Sequence, residues 1–324
     1  MHKDPKITAI RSLATVFVVL FHSVGYYTNA WPFDGTKVNF YDSFDIVLNQ
    51  ITMPIFFFLS AYIYNVKTKN SQYNNKCIFI ANKTLRLLLP FALWSIIQLI
   101  IFNDSFTVET ILTGSLHLWF IIVLYYYFII FSLAQPVWTN LKPLPSLFLL
   151  LVLVPLSSFC DIKQDLFCLN KFIHYFPFFF LGVIIPQTEK NRFPINKWVL
   201  IGFGISLLIV FSLVIHLDSR ISWTIQKIAS IITIYGIFNI KFSLPTKGLN
   251  IITSLDNNSY GIYIIHHIFI WWAVQISILQ NFLDTHVFIA PLFIFTASLS
   301  ISWMASHILS HNRYTKFLMG ERNK

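Results

Sequence analysis

Two ionisable residues stand inside the first apolar stretch of the chain, Ile7 to Val24, which reads ITAIRSLATVFVVLFHSV. They are Arg11 and His22, and both are costly to place in lipid, so each needs a partner or a task. Eleven positions at about 100° each end about 20° past three full turns. The two therefore share one helix face, roughly 16 Å apart along the axis. A cation near one surface and an imidazole deeper in form a single polar stripe. An imidazole titrates near neutrality and can serve as general base or as transient acyl carrier. Taken singly, Arg11 also reads as a side chain snorkelling to the surface, and His22 as an interhelical hydrogen-bonding group.

Other stretches carry similar chemistry. Lys83 and Arg86, ahead of Pro90, are three apart and share a face. With Arg11 they make a cationic mouth suited to a phosphorylated ligand, although the charged flank of an ordinary span has the same composition. His117-Leu118-Trp119-Phe120 opens a later span. Trp119 suits an aromatic belt, and His117 is either a surface group or part of an acceptor site. In Ser259 to His267, the residues Tyr260, Tyr263 and His266 or His267 fall at three- and four-residue spacing, so one helix face is polar and must point into a bundle. Ser60 and Ala61 are small enough for close helix approach; no base lies near Ser60 in sequence to make it a nucleophile. Asp45, toward the outer end of the second span, is the acid whose depth suits orienting the His22 ring.

The elements that position these residues follow from composition. The 324 residues are 56% hydrophobic and only 11% charged, with mean hydropathy +0.66; soluble domains carry about 25% charge. Apolar stretches recur at about 7–26, 43–66, 86–103, 117–135, 145–160, 173–187, 197–216, 223–240, 258–279 and 287–309, most of them close to the roughly 20 residues a helical span needs. The short alternating segments of a membrane barrel are not seen. The expected fold is an all-α, polytopic transmembrane bundle of about ten spans. It forms one domain over residues 1–324, closing in a short basic tail, 311–324.

With the N-terminus inside, 17 of the 23 Lys and Arg fall in inner segments and four in outer ones (Lys37, Lys163, Lys171, Arg220). Arg11 and Lys227 lie within spans. This asymmetry places both termini in the cytoplasm and accounts for the net charge of +10 without nucleic acid. The first span lacks the small-residue cleavage site of a secretory signal. No Cys/His cluster has zinc spacing, so no metal is expected. Cys160 and Cys168 flank an outer turn where a disulfide is open to them in an oxidising compartment. The outer loop after span 1 carries Tyr27, Trp31, Phe33 and Phe40, which suit either sugar stacking or the aromatic belt.

In order along nearly the whole chain, these motifs resemble the acyltransferase-3 family, integral membrane acyltransferases that include sugar and glycan O-acetyltransferases. The resemblance rests on Arg11 and His22 with ten residues between them, and on Phe56-Phe57-x-x-Ser60-Ala61, where Ala61 stands in place of the usual Gly. It rests also on Lys83 and Arg86 before Pro90, on His117-x-Trp119, and on Ser259-Tyr260-x-x-Tyr263-x-x-His266. It implies a multi-pass protein of the cell membrane, a bacterial inner or plasma membrane, that takes an acyl group, acetyl above all, from cytosolic acyl-CoA. The acceptor would be a hydroxyl of a glycan or lipid-linked sugar near the outer face. His22 is then the catalytic residue, and Arg11, Lys83 and Arg86 hold coenzyme A phosphates. Tyr260, Tyr263 and His266 become inner-half pocket residues. A different class, an exporter or flippase of a polysaccharide or lipid-linked sugar, also suits many spans, a basic inner face and buried polar residues. The lack of a visible repeat disfavours it.

Overall fold

Each apolar stretch becomes a helix. The computed structural model describes residues 4–28, 35–73, 75–102, 116–162, 165–188, 196–214, 218–242 and 246–320. Among them the regular structure is entirely helical: α1 (Pro5–Ser23), α2 (Asn39–Lys69), α3 (Lys76–Lys83), α4 (Leu89–Ile101), α5 (Trp119–Leu133), α6 (Gln135–Thr139), α7 (Pro143–Phe159), α8 (Leu169–Thr188), α9 (Lys197–Ile209), α10 (Ser219–Phe238), α11 (Thr246–Gln275), α12 (Ser277–Thr285) and α13 (Ala290–His311). Start signals are local. Asp4 caps α1 by accepting from the Lys6 N–H at 2.9 Å, and Pro5 opens the first turn.

Among the described residues, six helices are long and apolar enough to cross a membrane: Pro5–Tyr27, Asn39–Lys69, Lys76–Ile101, Leu169–Pro186, Ser219–Phe238 and Ala290–His311. A seventh span results if α11 and α12, bent by 89° at their junction, count together. α5, α7 and α9 are shorter apolar helices. All ten apolar stretches are thus helical. A 15-residue helix such as α5 is only about 22 Å long, however, against roughly 30 Å of hydrocarbon.

Two features depart from simple helices, and both matter below. α11 begins at Thr246, well ahead of the expected start at 258, because the polar run before Ser259 continues the helix. Between α3 and α4, Thr84–Leu88 forms a π-helical turn. Pro90 has no N–H to give to the Arg86 carbonyl, so the ladder shifts register and the Leu89 N–H reaches Thr84 instead.

Small residues set the helix crossings. Ser298, Ser302 and Ser306 lie four apart and buried on α13. Ser298 Oγ donates to the His266 carbonyl at 3.0 Å, and Ser306 Oγ donates to Asn258 Oδ1 at 3.0 Å. These bonds fix α13 behind α11. At the α2–α8 crossing, Ala61 packs against Gly182, where an added Cβ would stand 2.2 Å from the Phe58 carbonyl oxygen. The glycine of the close approach therefore sits on α8, which is why Ala61 suffices on α2. Phe178, Phe179 and Phe180 are all buried. Lys227 is wholly buried, its Nζ donating to Ser157 Oγ at 2.8 Å. Cys160 and Cys168 are free thiols, one exposed and one buried. Burial pushes the Cys168 thiol up to about 11, which keeps it protonated and unreactive. Trp31 and Phe33 lie outside the described residues.

Gly182→Ala should lower stability by about 1–3 kcal/mol through overpacking at this crossing. Thermal unfolding of the detergent-solubilised protein reads the effect, and an unchanged melting temperature would show that the crossing is loose.

Candidate active site

The site is built on two neighbouring helices joined by two rungs. At one end of α1, Arg11 Nη1 donates to Asp256 Oδ1 of α11 at 2.8 Å. Farther along, the His22 ring lies against His266 of α11, with Nδ1 and Nε2 3.0 Å apart. The rungs are eleven residues apart on α1 and ten on α11, roughly 16 and 15 Å of rise. The two helices therefore run parallel and in register. Ser12 Oγ, donating to the Ile252 carbonyl at 2.8 Å, strengthens the lower rung. The Asp256 carboxylate is fully buried and the Arg11 side chain 26% exposed, so each charge depends on the other.

Around His22 stand three more imidazoles. Ring centroids lie 5.7 Å away for His117, 4.9 Å for His266 and 5.0 Å for His267, and His117 stacks on His267 at 4.7 Å. Carbonyl oxygens accept only, and this assigns the protons. His266 Nδ1 lies 2.8 Å from the Ile262 carbonyl, so it carries a hydrogen, and in the neutral ring Nε2 is left as acceptor. His22 Nδ1, 3.0 Å from both the Val18 carbonyl and His266 Nε2, must then be the donor to them. The lone pair of His22 is left on Nε2, the arrangement a general base requires. His117 Nε2 donates to the Tyr263 carbonyl at 2.9 Å, and the Tyr263 hydroxyl donates back to the His117 carbonyl. His117 Nδ1 is consequently a second lone pair, buried and without a hydrogen-bond partner among the described residues. Among those residues no group of His, Cys, Asp or Glu has an arrangement that could hold a metal.

A cavity of about 1210 Å³ opens at the end of the bundle where α1 begins and α2 and α13 end. Arg11, Lys83 and Arg86 all line it, as do Ser60, Tyr260 and Tyr263. Six residues named from sequence are thus brought to one chamber. Its aromatic end is made by Phe56, Phe120 and Tyr263, and Tyr263 is the residue bonded to His117. The cavity stops about one helical turn short of His266, the partner of His22. Lys83 Nζ sits 3.6 Å over the Phe128 ring, a cation–π contact inside the wall.

Two expectations need correction. His266 belongs at the level of His22 rather than in the inner half. Twenty residues of α11 precede it, because that helix starts at Thr246. Asp45 makes no hydrogen bond to His22. Its Oδ1 is buried without a hydrogen-bond partner among the described residues, and the ring is oriented by Val18 and His266 instead. Arg11 has a partner of the kind its cost in lipid calls for, since Asp256 takes one of its N–H groups. Trp119 turns toward α8, stacking on Tyr175 at 5.2 Å, while its near neighbour His117 joins the histidine cluster. Asp256 was not singled out from sequence, and His267 only as an alternative to His266. The signal was there: 256, 260, 263 and 267 follow the three- and four-residue spacing of one helix face.

A family model described as an acyltransferase domain matches residues 4–307. No curated protein and no solved structure gives a significant match.

Asp256→Ala should cost about 3–5 kcal/mol, because it leaves the Arg11 charge uncompensated. The combined Arg11→Met, Asp256→Leu variant should recover most of that loss. Melting temperatures of the single and double variants measure this coupling; strictly additive losses would mean that the two residues do not act as a pair.

Proposed function

The chain belongs to the acyltransferase-3 family of membrane acyltransferases, and from that membership we propose that it transfers an acyl group, acetyl above all, from cytosolic acyl-CoA to a hydroxyl of a cell-surface glycan or lipid-linked sugar. The observation that carries the reading is the continuity of the polar stripe. A cation-lined cavity lies toward one end of it, and a histidine cluster whose central imidazole has its lone pair on Nε2 lies toward the other. In this reading the protein crosses the cell membrane about ten times with both termini in the cytoplasm, so the cavity mouth faces the cytosolic donor.

The residues present fit such a donor. Lys83 and Arg86 supply cationic donors for phosphate groups, and Arg11 adds the N–H groups that Asp256 leaves free. Phe56, Phe120 and Leu124 form an apolar wall for a neutral arm. The donor supplies a thioester carbonyl as electrophile. His22 Nε2 takes the proton of the acceptor hydroxyl as its oxygen bonds to that carbonyl carbon. The carbon–sulfur bond then breaks, and the proton on His22 passes to the departing thiolate. His266 holds His22 in the required tautomer throughout. Tyr263 must shift from its bond with His117 for the thioester to pass the aromatic end of the cavity.

His22→Ala should reduce transfer by about 10²–10⁴-fold, while membrane insertion and acyl-CoA binding persist. The assay is release of free thiol from acetyl-CoA together with label appearing in a glycan acceptor. Retained transfer in the variant would remove His22 from the chemistry, and labelled glycan transported without acylation would favour an exporter.

A further inference from the structure

The chain beyond the family match folds back onto the cavity. After α13 ends at His311, residues 312–320 form a strap whose last turn is Lys316–Met319. Thr315 Oγ1 donates to the Leu309 carbonyl at 2.8 Å, and Trp94 Nε1 of α4 donates to the Leu318 carbonyl at 3.0 Å. Met319 is buried. At the end of the strap, Arg86 Nε donates to the Gly320 carbonyl at 3.0 Å. Met319, Gly320 and Arg86 all line the cavity.

Gly320 is held in the left-handed region, φ 66°, and an added Cβ would stand 2.7 Å from the Arg86 carbonyl oxygen. Both facts call for glycine. The close approach occurs at the very carbonyl that Pro90 deprives of its helical N–H, in the π turn that carries Arg86. A guanidinium presents its five N–H groups in a rigid plane. With Nε taken by a backbone carbonyl, that plane is fixed, and among the described residues both Nη groups remain for a ligand.

We infer that the 312–320 strap is a working part of the donor site: Gly320 is a positioning residue that sets the Arg86 guanidinium for phosphoryl oxygens, and Trp94 holds the strap in place. The inference rests on the acyl-CoA reading of the cavity. A strap that merely closed the bundle would not need its Gly320 carbonyl aligned with the one guanidinium at the π turn.

Equilibrium binding of acetyl-CoA to the purified full chain tests it, using wild type, Arg86→Ala, Gly320→Ala, the double variant and Trp94→Phe. Arg86→Ala and Gly320→Ala should each weaken binding about 10-fold. The double variant should be no weaker than Arg86→Ala alone, because Gly320 acts through Arg86. A purely structural strap would instead give losses that add. Trp94→Phe keeps the ring and removes one hydrogen bond, so it should fold and show a smaller loss in the same direction. Wild-type affinity in both Gly320→Ala and Trp94→Phe, with Arg86→Ala impaired, overturns the positioning role and leaves the donor reading standing. A wild-type protein that does not bind acetyl-CoA overturns the donor reading itself, and this inference with it.

Discussion

The ion pair between Arg11 and Asp256 is the constraint on which the site depends. A carboxylate fully buried among apolar helices is tolerated only with its counter-charge in contact. That requirement fixes the register of α1 against α11. A slip of one residue would rotate either helix by about 100° and separate the charges. Once the lower rung is set, equal helical rise brings His22 opposite His266. The serine edge of α13 then fixes α11 from behind, by bonds to the backbone at His266 and to the side chain of Asn258. The histidine geometry is thus determined at a distance of several turns by an electrostatic contact that touches none of the four rings.

The same register explains why the cluster has a defined protonation pattern. Backbone carbonyls at Val18, Ile262 and Tyr263 each face an imidazole nitrogen. Each such carbonyl demands a hydrogen on the nitrogen it meets, which leaves lone pairs on His22 Nε2 and His117 Nδ1. The reciprocal bonds between His117 and Tyr263 tie this pattern to the far end of the cavity. Movement of the Tyr263 ring, the step that would lengthen the cavity, also releases a bond to the His117 backbone. Access and orientation are therefore coupled through one side chain.

Much of this was legible in sequence because helices convert spacing into faces. Arg11 and His22 share a stripe by arithmetic alone, and Tyr260, Tyr263 and His266 mark an inward face wherever the helix begins. What spacing does not give is the relative shift of two helices. The depth of His266 was misplaced because Ser254-Leu255-Asp256-Asn257-Asn258 reads as a polar lead-in, whereas the structure continues α11 through it and uses Asp256 as an anchor. Asp45 failed for the same reason: depth matched, but the face did not. The Ala61–Gly182 and Arg86–Gly320 contacts join residues more than a hundred positions apart, and no local pattern announces either.

Charge along the stripe also gives it a direction. The chamber gathers Arg11, Lys83 and Arg86, with the buried carboxylate of Asp256 among its lining. Past His22 the chain turns through Gly25–Tyr27, and there the chemistry reverses. Tyr26 and Thr36 both donate to Asp284 at 2.8 Å, while the Tyr27 and Tyr41 hydroxyls donate to the Leu283 and Val287 carbonyls at 3.0 and 2.8 Å. This end is organised by phenols around Asp284, with Lys37 and Asp42 paired beside them at 3.3 Å and α12 bent across it. At short range in a weakly screened setting, like charges repel by several kcal/mol. A polyanionic ligand is accordingly favoured at the mouth and disfavoured at the cap, whereas a neutral, hydroxyl-rich ligand meets no such penalty among tyrosines. This contrast in charge is what the proposed transfer across His22 would require of the two ends of the stripe.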